Sequence, residues 1–121
     1  MMLLAALILL PFDLGELPQQ TLQPGRCVMV LWTRTEPPRR VAMADETART
    51  LRIVQAGKPV DLAATGEASY AGGGLTITLD LDMSQRGGVT DGAIIEQGAM
   101  RVEAAGRDSV VVPVGGIRAC R

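Results

Sequence analysis

Hydrophobic and polar residues alternate with a period of two along much of the chain, and residues 75–82 (LTITLDLD) show the alternation without interruption. An extended strand with this pattern buries its aliphatic face and leaves the opposite face to solvent. Similar short runs recur between turns that contain glycine or proline. No run of ten or more residues after residue 12 has the spacing of an amphipathic helix. The pattern therefore predicts an all-β fold, either a small antiparallel β-sandwich or a partly open β-barrel.

Individual segments carry more specific predictions. Residues 26–33 (RCVMVLWT) are apolar on both faces, which is typical of a strand covered on both sides. Residues 50–64 contain two β-rich runs around a glycine-bearing turn and predict a hairpin. Residues 44–49 have acidic residues first and arginine last, the charge order of a short helical turn. The segment 107–120 contains Pro113 and two adjacent glycines, which favour an edge strand or a bulge.

The N-terminal segment, residues 1–12, is an apolar run too short to span a bilayer as a helix, but it has the length of a signal-peptide core. It has no preceding basic residue and no small-residue cleavage site, so a retained weak anchor is the alternative. Pro11 argues against a longer buried helix. Residues 13–25 predict an extended lead-in, because prolines and a glycine interrupt any period there. Residues 26–121 predict a single β domain.

The two cysteines, Cys27 and Cys120, bracket the predicted β domain. In an oxidising compartment such a pair is expected to form one disulfide that closes almost the whole domain. In a reducing compartment the same residues would be two buried thiols. A domain of about 100 residues has a modest core, so the constraint would supply a large share of its stability. We expect the disulfide, and with it a periplasmic or secreted location.

The composition excludes several classes of function. The chain has no histidine, three aromatic residues and a formal net charge of −1. Without histidine, the most common general base and transition-metal ligand are missing, and no Ser–His or Cys–His pair can form. Few aromatic residues and no excess of positive charge argue against binding of nucleic acid. We therefore expect no enzyme activity, no cofactor and no nucleic-acid partner.

Asp80 and Asp82 are the candidate catalytic or metal-ligating carboxylates. Two residues apart on one strand face, their Cβ atoms lie roughly 7 Å apart, a separation compatible with paired-carboxylate catalysis. With Ser84 and Asp91 they also match four ligand positions of a calcium loop. The match lacks the glycine of the sharp turn and the flanking helices. The favoured interpretation is a solvated sheet surface, and a calcium site at the strand end is the alternative.

An arginine-rich turn is the candidate for partner binding. Trp32, Arg34, Arg39 and Arg40 fall within ten residues that also contain two prolines. Arginine suits carboxylates and phosphates, and tryptophan with arginine is a common interface anchor. These residues predict a surface for a protein or envelope partner with acidic groups. The alternative is a solvated turn with Trp32 buried in the core.

Together these features predict a non-catalytic, exported β domain of a bacterial periplasm or envelope that presents a rigid surface to a partner. The preference for alanine, glycine and arginine over lysine and asparagine is typical of a GC-rich bacterial gene. A partner strand could also add to an open sheet edge near the C-terminal segment. Two alternatives remain. One is a calcium-dependent or carboxylate-based module centred on Asp80, Asp82 and Asp91; the other is a membrane-tethered accessory subunit that retains residues 1–12.

Overall fold

The computed structural model of the chain describes residues 11–84 and 92–121, which form nine strands after a short 3-10 turn, Pro11–Asp13. All strand pairings are antiparallel. The all-β prediction is therefore confirmed. The strands are β1 (Leu14–Gly15), β2 (Cys27–Thr33), β3 (Arg40–Asp45), β4 (Thr50–Gln55), β5 (Lys58–Ala64), β6 (Ser69–Gly72), β7 (Leu75–Ser84), β8 (Gly92–Glu103) and β9 (Val110–Cys120).

Strands β2 to β9 form a closed eight-stranded barrel. Each strand pairs with its neighbours in the chain, and β9 pairs back with β2 to complete the circle. The two-residue strand β1 lies outside the barrel. It pairs with Val54 and Gln55, the end of β4 that β3 does not reach. Of the two predicted architectures the structure has the barrel, and the barrel is closed rather than partly open.

The barrel closes along a seam between β2 and β9, and the disulfide lies in this seam. Cys27 and Cys120 are directly opposite each other in the two strands and are bonded, which confirms the predicted bridge. Seven consecutive residues of β2 are paired with β9, from Cys27 to Thr33. Gly116 belongs to this contact, because a Cβ atom there would overlap the carbonyl oxygen of Val30. The seam is therefore both a continuous ladder and a covalent junction.

The core fills the inside of the barrel with aliphatic side chains. The register brings alternate residues of neighbouring strands together: Leu51 lies opposite Leu62, and Ile77 lies between Tyr70 and Val102. Such inward alternation is what an eight-stranded barrel needs, because its interior is just wide enough for side chains or one small ligand. The largest fully buried core side chains are Leu31, Leu51, Ile53, Leu62, Ile77, Ile95, Met100, Val41, Val102 and Val114.

Two local predictions have different outcomes. The hairpin within residues 50–64 is confirmed, since β4 and β5 are joined by Ala56 and Gly57, both with positive φ angles. The short helical turn at 44–49 is wrong, because its first two residues complete β3. The rest form a tight turn in which Asp45 Oδ1 accepts hydrogen bonds from the N–H groups of Thr47 and Ala48. Asp45, one of the acidic residues that suggested a helical turn, therefore caps a turn between two strands.

The C-terminal strand is not an edge strand, so the predicted open edge for strand addition is wrong. β9 pairs with β2 on one side and β8 on the other. Pro113 lies opposite Ala99 in regular register, and the predicted alternative of a bulge is found in β8, between Ile95 and Gly98, opposite the two glycines. The backbone N–H of Arg34 donates to the carbonyl of Pro113. Proline and glycine marked the irregular ladder correctly but not its position in the sheet.

Residues 16–23, which we call the strap, lie across the outer face of β2, β3 and β4. Leu17 is completely buried beneath it, although it is not part of the barrel core. Its backbone N–H donates to the carbonyl of Arg40, whose guanidinium returns a hydrogen bond to the Leu17 carbonyl. The strap thus provides the outer cover that the two apolar faces of β2 predict.

Residues 1–10, most of the predicted signal-peptide-like segment, lie outside the described residues. Within residues 11–84 and 92–121, no helix is long and apolar enough to cross a membrane.

Candidate functional site

Trp32 lies on the outer wall of the barrel next to an arginine side chain. Its cross-strand neighbour in β3 is Arg40, whose guanidinium carbon is 5.5 Å from the centroid of the indole ring. A guanidinium at this distance is attracted by the aromatic face. The indole is half-buried, so the alternative of Trp32 in the core is wrong. The ring is part of the surface and is held in place from one side by Arg40.

A second arginine, Arg34, lies over the other strand that neighbours Trp32. Gly115 in β9 is the other cross-strand partner of Trp32, and Arg34 lies directly over it. A Cβ atom at Gly115 would come within 3.2 Å of Nη2 of Arg34, so the glycine leaves room for this side chain. Neither Arg34 nor Arg40 forms an ion pair with a carboxylate of residues 11–84 or 92–121. Two guanidiniums without carboxylate partners among the described residues therefore lie near one indole. One belongs to β3 and the other to the turn that follows β2.

Arg39, the fourth residue of the predicted site, turns toward the strap. Its Nη1 donates to Oε1 of Glu16 at 3.4 Å, and the side chain is partly buried. Its backbone N–H donates to the buried hydroxyl of Thr33, which also contacts the hydroxyl of Thr35. These bonds hold the turn between β2 and β3 in one conformation. The structure brings three of the four predicted residues together and uses Arg39 to fasten the strap.

An apolar groove of about 260 Å³ runs between the strap and the outer wall, beside Trp32. Ile117 in β9 lines the groove and has 45% of its surface accessible. Trp32 and Arg40 line the groove together with aliphatic side chains of three strands and the strap. An exposed apolar groove next to arginines without a carboxylate partner among the described residues is typical of an interaction surface. The remaining aliphatic lining residues are Leu22, Val28, Val30, Met43 and Ala119.

Asp80 and Asp82 lie on the outer wall, and both are exposed. Their cross-strand neighbours are Ala99 and Gln97, so no described acidic side chain lies opposite either of them. Paired-carboxylate catalysis depends on burial of one carboxyl, and neither is buried here. Asp91 and the side chain of Ser84, the other members of the calcium hypothesis, lie outside the described residues. Across the described part of the chain, no three potential ligand residues form a metal-binding group.

Sequence reasoning missed a second site, the mouth of the barrel at the end that carries the disulfide. Here the interior opens into a pocket of about 400 Å³ whose floor is Met29, Ala64 and Tyr70. The guanidinium of Arg118 projects from β9 and forms two hydrogen bonds to the Glu46 carboxylate, at 2.7 and 3.0 Å. The remaining lining residues of this mouth are Arg49, Gly66, Glu67 and Met83.

Charges of the mouth act on Tyr70, whose side chain is almost completely buried. Burial raises the pKa of the Tyr70 hydroxyl above its ordinary value of 10.0, because the phenolate loses solvation. The negative charge of Glu46 raises this pKa further, and the positive charge of Arg49 lowers it. Tyr70 shares the mouth with both charged side chains, and its hydroxyl is a neutral hydrogen-bond donor at physiological pH.

The ion pair between Arg52 and Asp61 links the strap to the barrel. Arg52 donates to both carboxylate oxygens of Asp61, at 2.7 and 3.0 Å, and its third bond goes to Oε1 of Gln20 in the strap. The hydrogen bond from Arg52 holds the pKa of Asp61 below its ordinary value of 3.8. Partial burial alone would raise this pKa, and the positive charge of Arg52 lowers it further. One guanidinium thus joins β4, β5 and the strap.

Comparison with protein-family models, with curated protein sequences and with solved structures finds no match to this chain.

Proposed function

We propose that the protein is a non-catalytic binding domain of a bacterial periplasm or envelope, whose outer face captures a protein or envelope partner with acidic groups. The contact surface consists of Trp32, Arg34 and Arg40 with the adjoining apolar groove, and Arg39 supports it from the strap. This function needs no cofactor and no reaction step.

The observation that carries the proposal is the position of Trp32 between two arginines that have no carboxylate partner in the described chain. Tryptophan and arginine dominate the binding energy of many interfaces because they combine large apolar area with directed hydrogen bonds. A carboxylate placed against Arg34 or Arg40 would gain a charge-assisted hydrogen bond. The groove beside them would bury apolar side chains of the same partner.

The scaffold behind this surface supports a binding role. The barrel is closed by a disulfide, and the turn that carries Arg34 is fixed by hydroxyl and backbone hydrogen bonds. A surface that is already ordered loses little entropy on binding. The disulfide is also consistent with an oxidising compartment outside the cytosol, where such bonds persist.

The proposal is tested by capturing partners from an envelope fraction with the native protein and then measuring their affinity for charge-reversal variants. Arg34→Glu combined with Arg40→Glu should weaken binding of a true partner at least tenfold, and binding should also weaken as salt is raised. Arg101→Glu is the matched control, because Arg101 is an exposed arginine in β8 that contacts Ser109 rather than Trp32. Equal affinity for the native protein and the double variant, with both folded, would overturn the surface assignment.

A further inference from the structure

The mouth of the barrel contains three polar side chains that lack partners. Within residues 11–84 and 92–121, no side-chain hydrogen bond involves the Tyr70 hydroxyl, and neither Arg49 nor Glu67 forms an ion pair. All three line one pocket, together with the bonded pair Glu46–Arg118. The Tyr70 hydroxyl is accessible from the pocket rather than sealed in the core, so its hydrogen-bonding capacity is open to a ligand.

Arg49 and Tyr70 form the donor side of the mouth. Both side chains line the same pocket, and the positive charge of Arg49 lowers the pKa of the Tyr70 hydroxyl. A guanidinium and a neutral phenol hydroxyl both donate hydrogen bonds. A carboxylate is a better acceptor for an ammonium than either of them. Together they suit a carboxylate group of a ligand.

Glu67 forms the acceptor side. It lies in the turn between β5 and β6, and its carboxylate is exposed and carries no ion pair within the described chain. The other acidic residue of the mouth, Glu46, is already engaged in two hydrogen bonds with Arg118. Glu67 is therefore the group that can receive a ligand ammonium.

Among the described residues that line the mouth, the formal charges balance, with Glu46 and Glu67 against Arg49 and Arg118. A ligand with net negative charge would place a carboxylate near Glu67 without compensation, and a simple amine would meet Arg49 in the same way. A zwitterion satisfies both sides at once. The charge pattern therefore selects a ligand that carries one cation and one anion.

The floor of the pocket determines which ligand side chain fits. Met29 and Ala64 pack beneath the polar rim beside the Tyr70 ring, and Met83 at the rim has 47% of its surface exposed. The pocket volume of about 400 Å³ is in the range of small-molecule sites, and methionine side chains adapt to branched aliphatic groups. We propose that the barrel mouth binds a free α-amino acid with an aliphatic side chain, its carboxylate at Arg49 and Tyr70 and its ammonium at Glu67. This site is separate from the Trp32 surface, so either can fail without the other.

The test is titration calorimetry of the full, disulfide-bonded protein with leucine as the probe. Two analogues separate the charges: 4-methylpentanoate keeps the carboxylate without the ammonium, and 3-methylbutylamine keeps the ammonium without the carboxylate. We expect leucine to bind and each analogue to bind at least tenfold more weakly. No heat of binding at millimolar leucine, or equal binding of all three compounds, would overturn the proposal.

Matched variants locate the site. Arg49→Gln and Glu67→Gln should each weaken leucine binding at least tenfold, and Tyr70→Phe, which removes only the hydroxyl, should weaken it several-fold. Arg101→Gln, outside the mouth, should bind leucine as the native protein does. Circular dichroism confirms that each variant is folded. Unchanged affinity in folded Arg49→Gln or Glu67→Gln protein would show that leucine binds elsewhere and would reject the assignment.

Discussion

Cys27 and Cys120 are direct neighbours across the strand pair that closes the barrel, with their Cα atoms 4.0 Å apart. The bond therefore joins the first and last barrel strands at the one interface that chain neighbours do not form. Between these cysteines the chain contains the rest of the barrel, over a sequence separation of 93 residues. A crosslink over a loop of this length restricts the unfolded chain strongly.

Removal of this bond should destabilise the protein substantially. We expect Cys27→Ser with Cys120→Ser to lower the free energy of unfolding by about 2–5 kcal/mol, measured by denaturant titration at neutral pH. Reduction of the native protein should lower it by a similar amount and should leave the double variant unaffected. Equal stability of the native protein with and without reductant would contradict a structural role for the bridge.

The seam should be intolerant of a side chain at Gly116. Alanine there would place a methyl group against the backbone carbonyl of Val30, which cannot move without separating β2 from β9. We expect Gly116→Ala to cost about 1–3 kcal/mol of unfolding free energy or to prevent folding. Gly66→Ala is the control, because the nearest atom to its Cβ would be 4.0 Å away. Native-like stability of Gly116→Ala in thermal unfolding would argue against this close approach.

The charges of the barrel mouth can be read from the ionisation of Tyr70, the only tyrosine of the chain. Glu46→Gln should lower the pKa of Tyr70, because it removes a charge that raises it, and Arg49→Gln should raise it. Tyrosinate absorbance during an alkaline titration measures both shifts. Shifts in the same direction would mean that one of the two side chains does not lie near the hydroxyl.

The same tyrosine should make stability depend on alkaline pH. Its pKa in the folded protein is raised above the ordinary value of 10.0, so the neutral form is favoured on folding. The resulting stabilisation is complete below pH 10 and is lost as the pH rises from there through the folded pKa. Tyr70→Phe should remove this part of the pH dependence in denaturant titrations. An identical decline in the variant would assign the loss to other groups.

The link between Arg52 and Asp61 should be visible at acid pH. The folded pKa of Asp61 is lowered, so its stabilising effect is present above pH 3.8 and is lost as the pH falls through the folded value. Arg52→Gln should return the pKa of Asp61 toward 3.8 in an NMR titration, with a stability change of about 1 kcal/mol or less, because both side chains are well exposed. Gln20→Ala, which removes only the bond to the strap, should leave this pKa unchanged.

The strands were predictable because each carries its own alternation. Residues 75–82 and the hairpin of 50–64 are in the structure as the pattern indicates. The closure was not predictable, since it depends on the register between strands at opposite ends of the chain. Pro113 shows the difficulty: its lack of an N–H group favours an edge position, but only the pairing of β9 with both β2 and β8 shows that the strand is central.

The two candidate sites differ in how much the sequence reveals. Trp32, Arg34 and Arg40 lie close together in the chain, so one turn predicted their proximity. The mouth combines residues from distant turns and strands, including Glu46 and Arg118, which are 72 residues apart. One local signal existed: Arg118 continues the inward alternation of β9 and is therefore a charged residue at an inward-facing position.

The connectivity of the barrel has a consequence for the order of its assembly. At seven of the eight interfaces between its strands, each strand meets a neighbour in sequence, and hairpins of this kind form from local chain segments in microseconds. The eighth interface can form only when the last strand has been synthesised and released. Until β9 is available, β2 therefore has no partner on that side, so the ring and its disulfide close only after every other barrel strand has been synthesised.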